Sequence, residues 1–328
     1  MCTGLPERAP RLLADIGGTN ARFALHREGR IEHVRVLRCA DFPGLADAVR
    51  RYLRDAGVDG VRHAALGIAT PVAGDQVRMT NHHWSFSIAA TRDALVLQTL
   101  LVLNDFTALA LALPDLPGAE LLRVGPPVAP AAQGTRGVIG PGTGLGVGAL
   151  VPLGRRFMAL AGEGGHVSFS PADEREVALW RFAQARHGHV SAERLLCGAG
   201  LRLIHDWLSA EAGRDGATID AAGITRAALE HADPTSVEAL ALFCRLLGTA
   251  AGNLALTVGA RGGVYIGGGI VPRFAEFFAR SGFRARFEDK GRFRNYLADI
   301  PTYLIRDPWP GLRGVARALA DALEQTDA

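Results

Sequence analysis

Two segments of the chain repeat one arrangement, and that repeat constrains the fold more than any other feature. RLLADIGGTNARFAL is an apolar run, a tip at Gly18 and Thr19, and an alternating apolar run; RGVIGPGTGLGVGALV does the same with its tip at Gly142 and Thr143. Each reads as a β-hairpin with a glycine-rich tip. Two such units in 328 residues predict two related domains facing one another across a cleft, since a domain uses roughly 150 residues. A tip without bulky side chains exposes backbone N–H groups, which is the chemistry of a phosphate cradle. The carboxylate of Asp15 beside such a cradle would repel phosphate unless magnesium accompanied it. An ordinary tight turn is the structural alternative for either tip.

Composition narrows the chemistry. Hydrophobic residues make up 48% and charged residues 21%, enough apolar material for real cores. The 36 basic and 33 acidic residues leave a formal charge of +3, and no basic run with interleaved aromatics points to nucleic acid. Lys290 is the only lysine, and its setting EDKGRF is not the Gly-Lys-Ser/Thr ending of a Walker loop. A strand lysine of the protein-kinase type is missing too, so ATP phosphates would have to be held without lysine. Cys2, Cys39, Cys197 and Cys244 lie far apart without zinc-type spacing. The first residues lack the apolar stretch of a signal peptide, and no apolar run approaches the roughly 20 residues that span a bilayer; a reducing cytoplasm is the expected compartment.

Strands and helices alternate from Arg11 to about Asp105, predicting a mixed sheet with helices packed on it. PDLPGAE and GPPVAPAAQGTRG look like the seam to the second domain. Helices dominate afterwards, including one continuous helix over AERLLCGAGLRLIHDWLSA and a long one over SVEALALFCRLLGTAAGNLALTVG, whose Gly248, Ala250, Ala251 and Gly252 allow close packing. GGVYIGGGIVPRFAEFF reads as a strand, a triple glycine and a helix starting at Pro272. Gly267, Gly268 and Gly269 thus suit a ligand lying on bare backbone at a helix N-terminus.

In VLNDFTALALALP a buried strand ends in Asn104-Asp105 and a helix follows. Asp105 is either a helix N-cap or a general base delivered at a strand's C-terminal end, where ligands of open α/β sheets bind. GEGGHVSFSP carries Glu163 and His166 on a glycine-rich loop, where both can read the hydroxyls of one small polar ligand. One Glu and one His make a poor metal set. Glu193 lies near a helix start, where acidic residues are favoured anyway. His82, His83, His187 and His189 belong to loops or helix ends, while Asn81 and Trp84 are candidates to border the cleft.

LADIGGTNARFAL, MTNHHWSFSI, LNDFTALALALP, GPGTGLGVG, GEGGHVSFSP, GHVSAERLL, GGVYIGGGIVPRFAEFF and SGFRARFEDKGRF, in this order, resemble the proteobacterial-type ATP-dependent glucokinases. The resemblance runs from Leu13 to Phe293, and the C-terminal helix fits as well. It implies the α/β, two-domain actin-like ATPase (ribonuclease H-like) fold with an interdomain cleft that closes over sugar and nucleotide. The implied small domain is 1–115 completed by 307–328, and the large one is 116–306 with helical insertions.

By the same resemblance, the first phosphate motif falls on Ala14, Asp15, Ile16, Gly17, Gly18 and Thr19, with Asp15 holding Mg2+ through water. The second falls on Gly140, Gly142, Thr143 and Gly144, and the adenosine segment on Gly267, Gly268 and Gly269. The implied base is Asp105, and the implied glucose set is Asn104, Asp105, Glu163, His166 and Glu193. ATP and Mg2+ as cofactor and metal, glucose as acceptor, a place in glycolysis and a homodimer follow as expectations. The residues leave open a kinase of mannose or of an N-acetylated amino sugar, because epimer rejection depends on hydrogen-bond placement, and a non-catalytic sugar-sensing protein.

Overall fold

A computed structural model describes residues 9–80, 82–214 and 219–326. The chain divides into two compact units, Met1–Leu116 with Pro308–Ala328, and Pro117–Asp307.

The first unit is built on strands β1 (Arg11–Ile16), β2 (Asn20–Arg27), β3 (Arg30–Arg38), β4 (His63–Ile68) and β7 (Thr99–Asn104), with a small hairpin β5 (Gln76–Arg78) and β6 (Ser85–Ser87). Helices α1 (Leu45–Ala56), α2 (Ile88–Ala94) and α3 (Asp105–Ala112) accompany them. The sheet order is β3-β2-β1-β4-β7, an antiparallel meander extended by two strands parallel to β1. β1 is apolar on both faces because both are covered. Leu12, Ala14 and Ile16 pack with Phe23, Tyr52, Leu66 and Trp84, whereas Leu13 points the other way, among Ala65, Ala108, Leu312, Val315 and Leu319. Period-2 alternation puts Asp15 on the Leu13 side.

The second unit carries β8 (Leu121–Val124), β9 (Arg136–Pro141), β10 (Leu145–Leu153), β11 (Arg156–Ala161), β12 (Val264–Ile266) and β13 (Thr302–Ile305). Its helices are α4 (Glu174–His187), α5 (Ala192–Leu195), α6 (Gly198–Glu211), α7 (Ala221–Leu229), α8 (Pro234–Val258), α9 (Ala275–Arg280), α10 (Phe283–Glu288) and α11 (Arg294–Ala298). The sheet order is β11-β10-β9-β12-β13-β8. Its first five positions repeat the connectivity of the other unit: a meander whose first strand also pairs in parallel with a later strand, which pairs in parallel with the next. The repeat visible at the two tips therefore extends to whole sheets. Helix α12 (Pro310–Thr326) then returns the chain to the first unit, where it covers the Leu13 face of β1.

α8 is the core helix of the second unit, with Phe243, Leu246, Leu247 and Ala251 fully buried. Gly248 and Gly252 let α10 approach, since a Cβ on Gly252 would sit 2.6 Å from the Phe287 carbonyl oxygen. The expectation that no apolar run reaches membrane-spanning length is corrected here: α8 is long and apolar enough, and 67% of its apolar window is buried inside the unit.

Three further expectations change. The helix read through AERLLCGAGL is two, because Leu196 leaves helical geometry and the Cys197 thiol caps α6 by accepting from Gly200 N–H. Pro272 opens a single 3-10 turn, Val271–Phe274, and the α-helix starts only at Ala275. That α9 is six residues long, so its dipole adds little behind Gly267–Gly269. β8, β11 and β13 carried no alternation to find: β13 is buried at every position, and β11 is an edge strand with Met158 and Leu160 exposed.

Candidate active site

In the first unit the candidate residues gather at the C-terminal ends of three adjacent parallel strands. Ile16, Ile68 and Asn104 are in register across β1, β4 and β7, and Asp15 pairs with Gly67. A Cβ on Gly67 would lie 3.8 Å from Asp105 Cα, so Asp15 and Asp105 flank one small residue of the middle strand. Strand ends of this kind are where open α/β sheets present ligand-binding groups.

Asn104, not Asp105, is the cap of α3. Its Oδ1 accepts from Phe106 N–H at 2.9 Å and Thr107 N–H at 3.2 Å, while its Nδ2 donates to Asp105 Oδ1 at 3.0 Å. Asp105 Oδ1 also accepts from Phe106 N–H at 2.9 Å. Asp105 occupies the first helical position, where the dipole favours a carboxylate.

Asp15 is offset by neighbours in its own unit. Arg22, directly across the β1–β2 ladder, donates to Asp15 Oδ2 at 3.2 Å, and its guanidinium lies 6.0 Å from the Trp309 ring. Gly311, in the first turn of α12, is small enough to admit the carboxyl group, for a Cβ there would sit 3.1 Å from Asp15 Cγ. Desolvation pushes the Asp15 carboxyl above its ordinary range, and the charge and hydrogen bond of Arg22 oppose the shift. Among the described residues no three Asp, Glu, His or Cys side chains form a metal cluster. A single carboxylate outside any cluster is a donor that suits magnesium, which keeps several waters and takes one or two carboxylates plus substrate phosphates.

The tips are less open than the sequence implies. Gly17 N–H closes the first turn onto the Asn20 carbonyl at 3.0 Å, and Gly142 N–H closes the second onto the Gly144 carbonyl at 2.8 Å. The amides of Gly18 and Thr143 have no backbone acceptor among the described residues. Cys39 braces the first tip, its N–H donating to the Thr19 carbonyl and its thiol to that of Gly17.

In the second unit the remaining candidates assemble around the β9–β10 tip. Gly268 has φ +78°, and a Cβ on it would collide with the Pro141 carbonyl; Gly267 N–H donates to the Ile139 carbonyl at 2.9 Å. The triple glycine therefore lies flush on the strand that ends in Gly140 and Pro141, while Gly269 faces open space. Beside it is a cavity of about 300 Å3 lined by Ala221, Thr225, Arg226, Ile270 and Arg273. Gly198, which donates to the Gly142 carbonyl, lies between Ala221, Ile270 and the tip.

Glu163 precedes and His166 ends a single turn, Gly164–His166, laid on the start of β10. A Cβ on Gly165 would strike the Leu145 carbonyl and one on Gly164 would reach Val147 Cγ1 at 2.8 Å, so both glycines are required by this approach. The loop is tied to α5 by Ala192 N–H donating to the Val167 carbonyl at 2.9 Å. Glu193 Oε2 accepts from Leu145 N–H at 2.9 Å, and its Oε1 lies 4.0 Å from His166 Nδ1.

The glucokinase family model matches residues 12–322. The chain belongs to the glucokinase family. A glucokinase of Chromobacterium violaceum is 60% identical over 324 residues, 98% of this chain and 93% of that one. A bifunctional protein glk of Paraburkholderia xenovorans is 52% identical over 96% of this chain, which spans 49% of that longer protein. A solved glucokinase from an Antarctic psychrotroph superposes with a TM-score of 0.85 at 35% identity, covering 95% of this chain and 99% of the other. The fold is thus the actin-like α/β fold of the sugar kinases.

Sequence reasoning missed Gly67, Gly198 and Gly311. Gly67 and Gly311 are lone glycines set apart only by close neighbours from distant segments, Ala108 and Asp15, while Gly198 meets Ala221 and Ile270 at ordinary contact distance. It also overreached at Trp84, which is 1% exposed and donates its indole N–H to the Phe42 carbonyl, making it core and not a cleft border. Asn81 lies outside the described residues.

Proposed function

We propose that the protein is an ATP-dependent glucokinase, transferring the γ-phosphoryl group of MgATP to the 6-hydroxyl of glucose. The observation that carries this reading is Asp105 at the C-terminal end of β7 with one carboxylate oxygen pinned, within a chain that matches the family along nearly its whole length. Asp105 accepts the 6-hydroxyl proton as the oxygen attacks phosphorus. Asn104 holds Asp105 in place and, with Glu163, His166 and Glu193, binds the other sugar hydroxyls.

The free amides of Gly18 and Thr143 and the hydroxyls of Thr19 and Thr143 hold phosphate oxygens, a backbone solution that suits a chain with one lysine. Adenosine lies along Gly267–Gly269, its base in the cavity lined by Thr225, Ile270 and Arg273. Asp15 would hold Mg2+ through water, and the ion neutralises charge on the phosphates when bound. A cytoplasmic, glycolytic homodimer completes the reading, supported by family likeness.

The test is glucose-dependent ADP release, with glucose 6-phosphate measured as product, across glucose, mannose and N-acetylglucosamine. Glucose is expected to give the highest kcat/KM. Sugar binding without ADP release would favour a sensing protein, and a higher kcat/KM for another hexose would reassign the acceptor.

A further inference from the structure

The two oxygens of Glu193 serve different elements. Oε2 accepts the amide hydrogen of Leu145, the first residue of β10 and the root of the Gly142–Gly144 tip. Oε1 faces His166 on the sugar loop. Contact with the tip is close: a Cβ on Gly144 would collide with Oε2 and displace the carboxylate. The loop bearing His166 rests on the same Leu145 through Gly165. One carboxylate, 29% exposed, therefore joins the residues read as sugar contacts to the residues read as phosphate contacts.

We propose that Glu193 is a positioning residue for the phosphate tip, through which sugar occupancy and nucleotide affinity are coupled; this rests on the sugar and phosphate assignments above. A sugar hydroxyl donating to Oε1 restrains the carboxylate and so fixes the Oε2–Leu145 bond that shapes the tip. A phosphate seated on the tip fixes Leu145 and thereby orients Oε1. Such coupling is reciprocal, and typical values change affinity about 5- to 150-fold. What matters is reach and not charge: glutamine spans both contacts, accepting from Leu145 and donating to the sugar, whereas aspartate is one methylene too short.

The experiment is calorimetric titration of the full chain with glucose and with MgAMPPNP, each alone and each in the presence of the other. In the wild type, saturating glucose is expected to tighten MgAMPPNP about five-fold or more. Glu193→Gln should retain most of that factor, and Glu193→Asp should bring it below about two-fold while both ligands still bind. Gly144→Ala, altered only in the tip, should weaken glucose several-fold with no nucleotide present. Equal coupling in Glu193→Asp and wild type overturns the proposal, as does wild-type glucose affinity in a folded Gly144→Ala. If Gly144→Ala does not fold, the Glu193 pair decides. Failure of the wild type to bind glucose would instead remove the sugar assignment beneath the proposal, an outcome distinct from binding without coupling.

Discussion

The side-chain amide of Asn104 donates to Asp105 Oδ1 at 3.0 Å while its own carbonyl oxygen caps the helix that begins with Asp105. One residue thus fixes both the start of α3 and the aim of the carboxylate. Asp105→Ala should lower kcat by about 10²- to 10⁴-fold with glucose affinity changed only a few-fold, as calorimetry and steady-state kinetics can separate. Asn104→Asp keeps a capping oxygen but replaces the donor by an acceptor, so kcat should fall although thermal unfolding stays near that of the wild type. Asn104→Ala should additionally cost about 1 kcal/mol in stability.

Glu176 is fully buried and paired with Arg286. Arg286→Met strands that carboxylate and should destabilise the protein by about 3–5 kcal/mol. Adding Glu176→Leu should recover most of the loss, because an apolar pair avoids the desolvation of both charges. Urea unfolding of the two single variants and the double variant measures the difference.

Gly314 of α12 faces Ala108 of α3 so closely that a Cβ would overlap the Ala108 carbonyl. Gly314→Ala should cost at least about 1–3 kcal/mol through overpacking, read as an earlier thermal transition. Gly118→Ala, where a Cβ meets nothing within 4 Å, is the matched control and should shift the transition little.

Burial pushes the Cys244 thiol up from 9.0 to about 12, and it raises those of Cys39 and Cys197 as well. With Cys2 replaced by serine, a thiol reagent at pH 8 should find no fast-reacting group until denaturant is added. The sign for stability follows: between pH 9.0 and about 12 the unfolded chain releases the Cys244 proton and the folded chain keeps it, so stability falls as pH rises. Cys244→Ala should flatten that alkaline decline.

Much of the fold and of the candidate site was legible in sequence because it is local. The tips at Gly18-Thr19 and Gly142-Thr143, the strand running into Asn104-Asp105 and the helical period of α8 are each set by neighbours a few residues away. What escaped depends on long-range packing. β13 has no alternation because both its faces are covered, and nothing near Gly311 in sequence announces that Asp15 will lie against it. The sequence left Asp105 as either a cap or a base, and Asn104 holds the cap, since both residue types cap well and only backbone geometry separates them. Glu193 looked like an ordinary first-turn acid, and its bond to Leu145 spans 48 residues.

The second unit leaves and rejoins the first through neighbouring strands: Leu121 pairs with Ile305, and Arg306 N–H donates to the Glu120 carbonyl at 2.8 Å. During synthesis this inserted segment is complete before the ribosome has made α12, so the part of the protein that begins first is finished last. Until those closing residues emerge, Leu13, Ala65 and Ala108 await the wall supplied by Leu312, Val315 and Leu319. A premature stop just after Asp307 would then release a chain with one finished lobe and one bare apolar sheet, a substrate for chaperones and proteases.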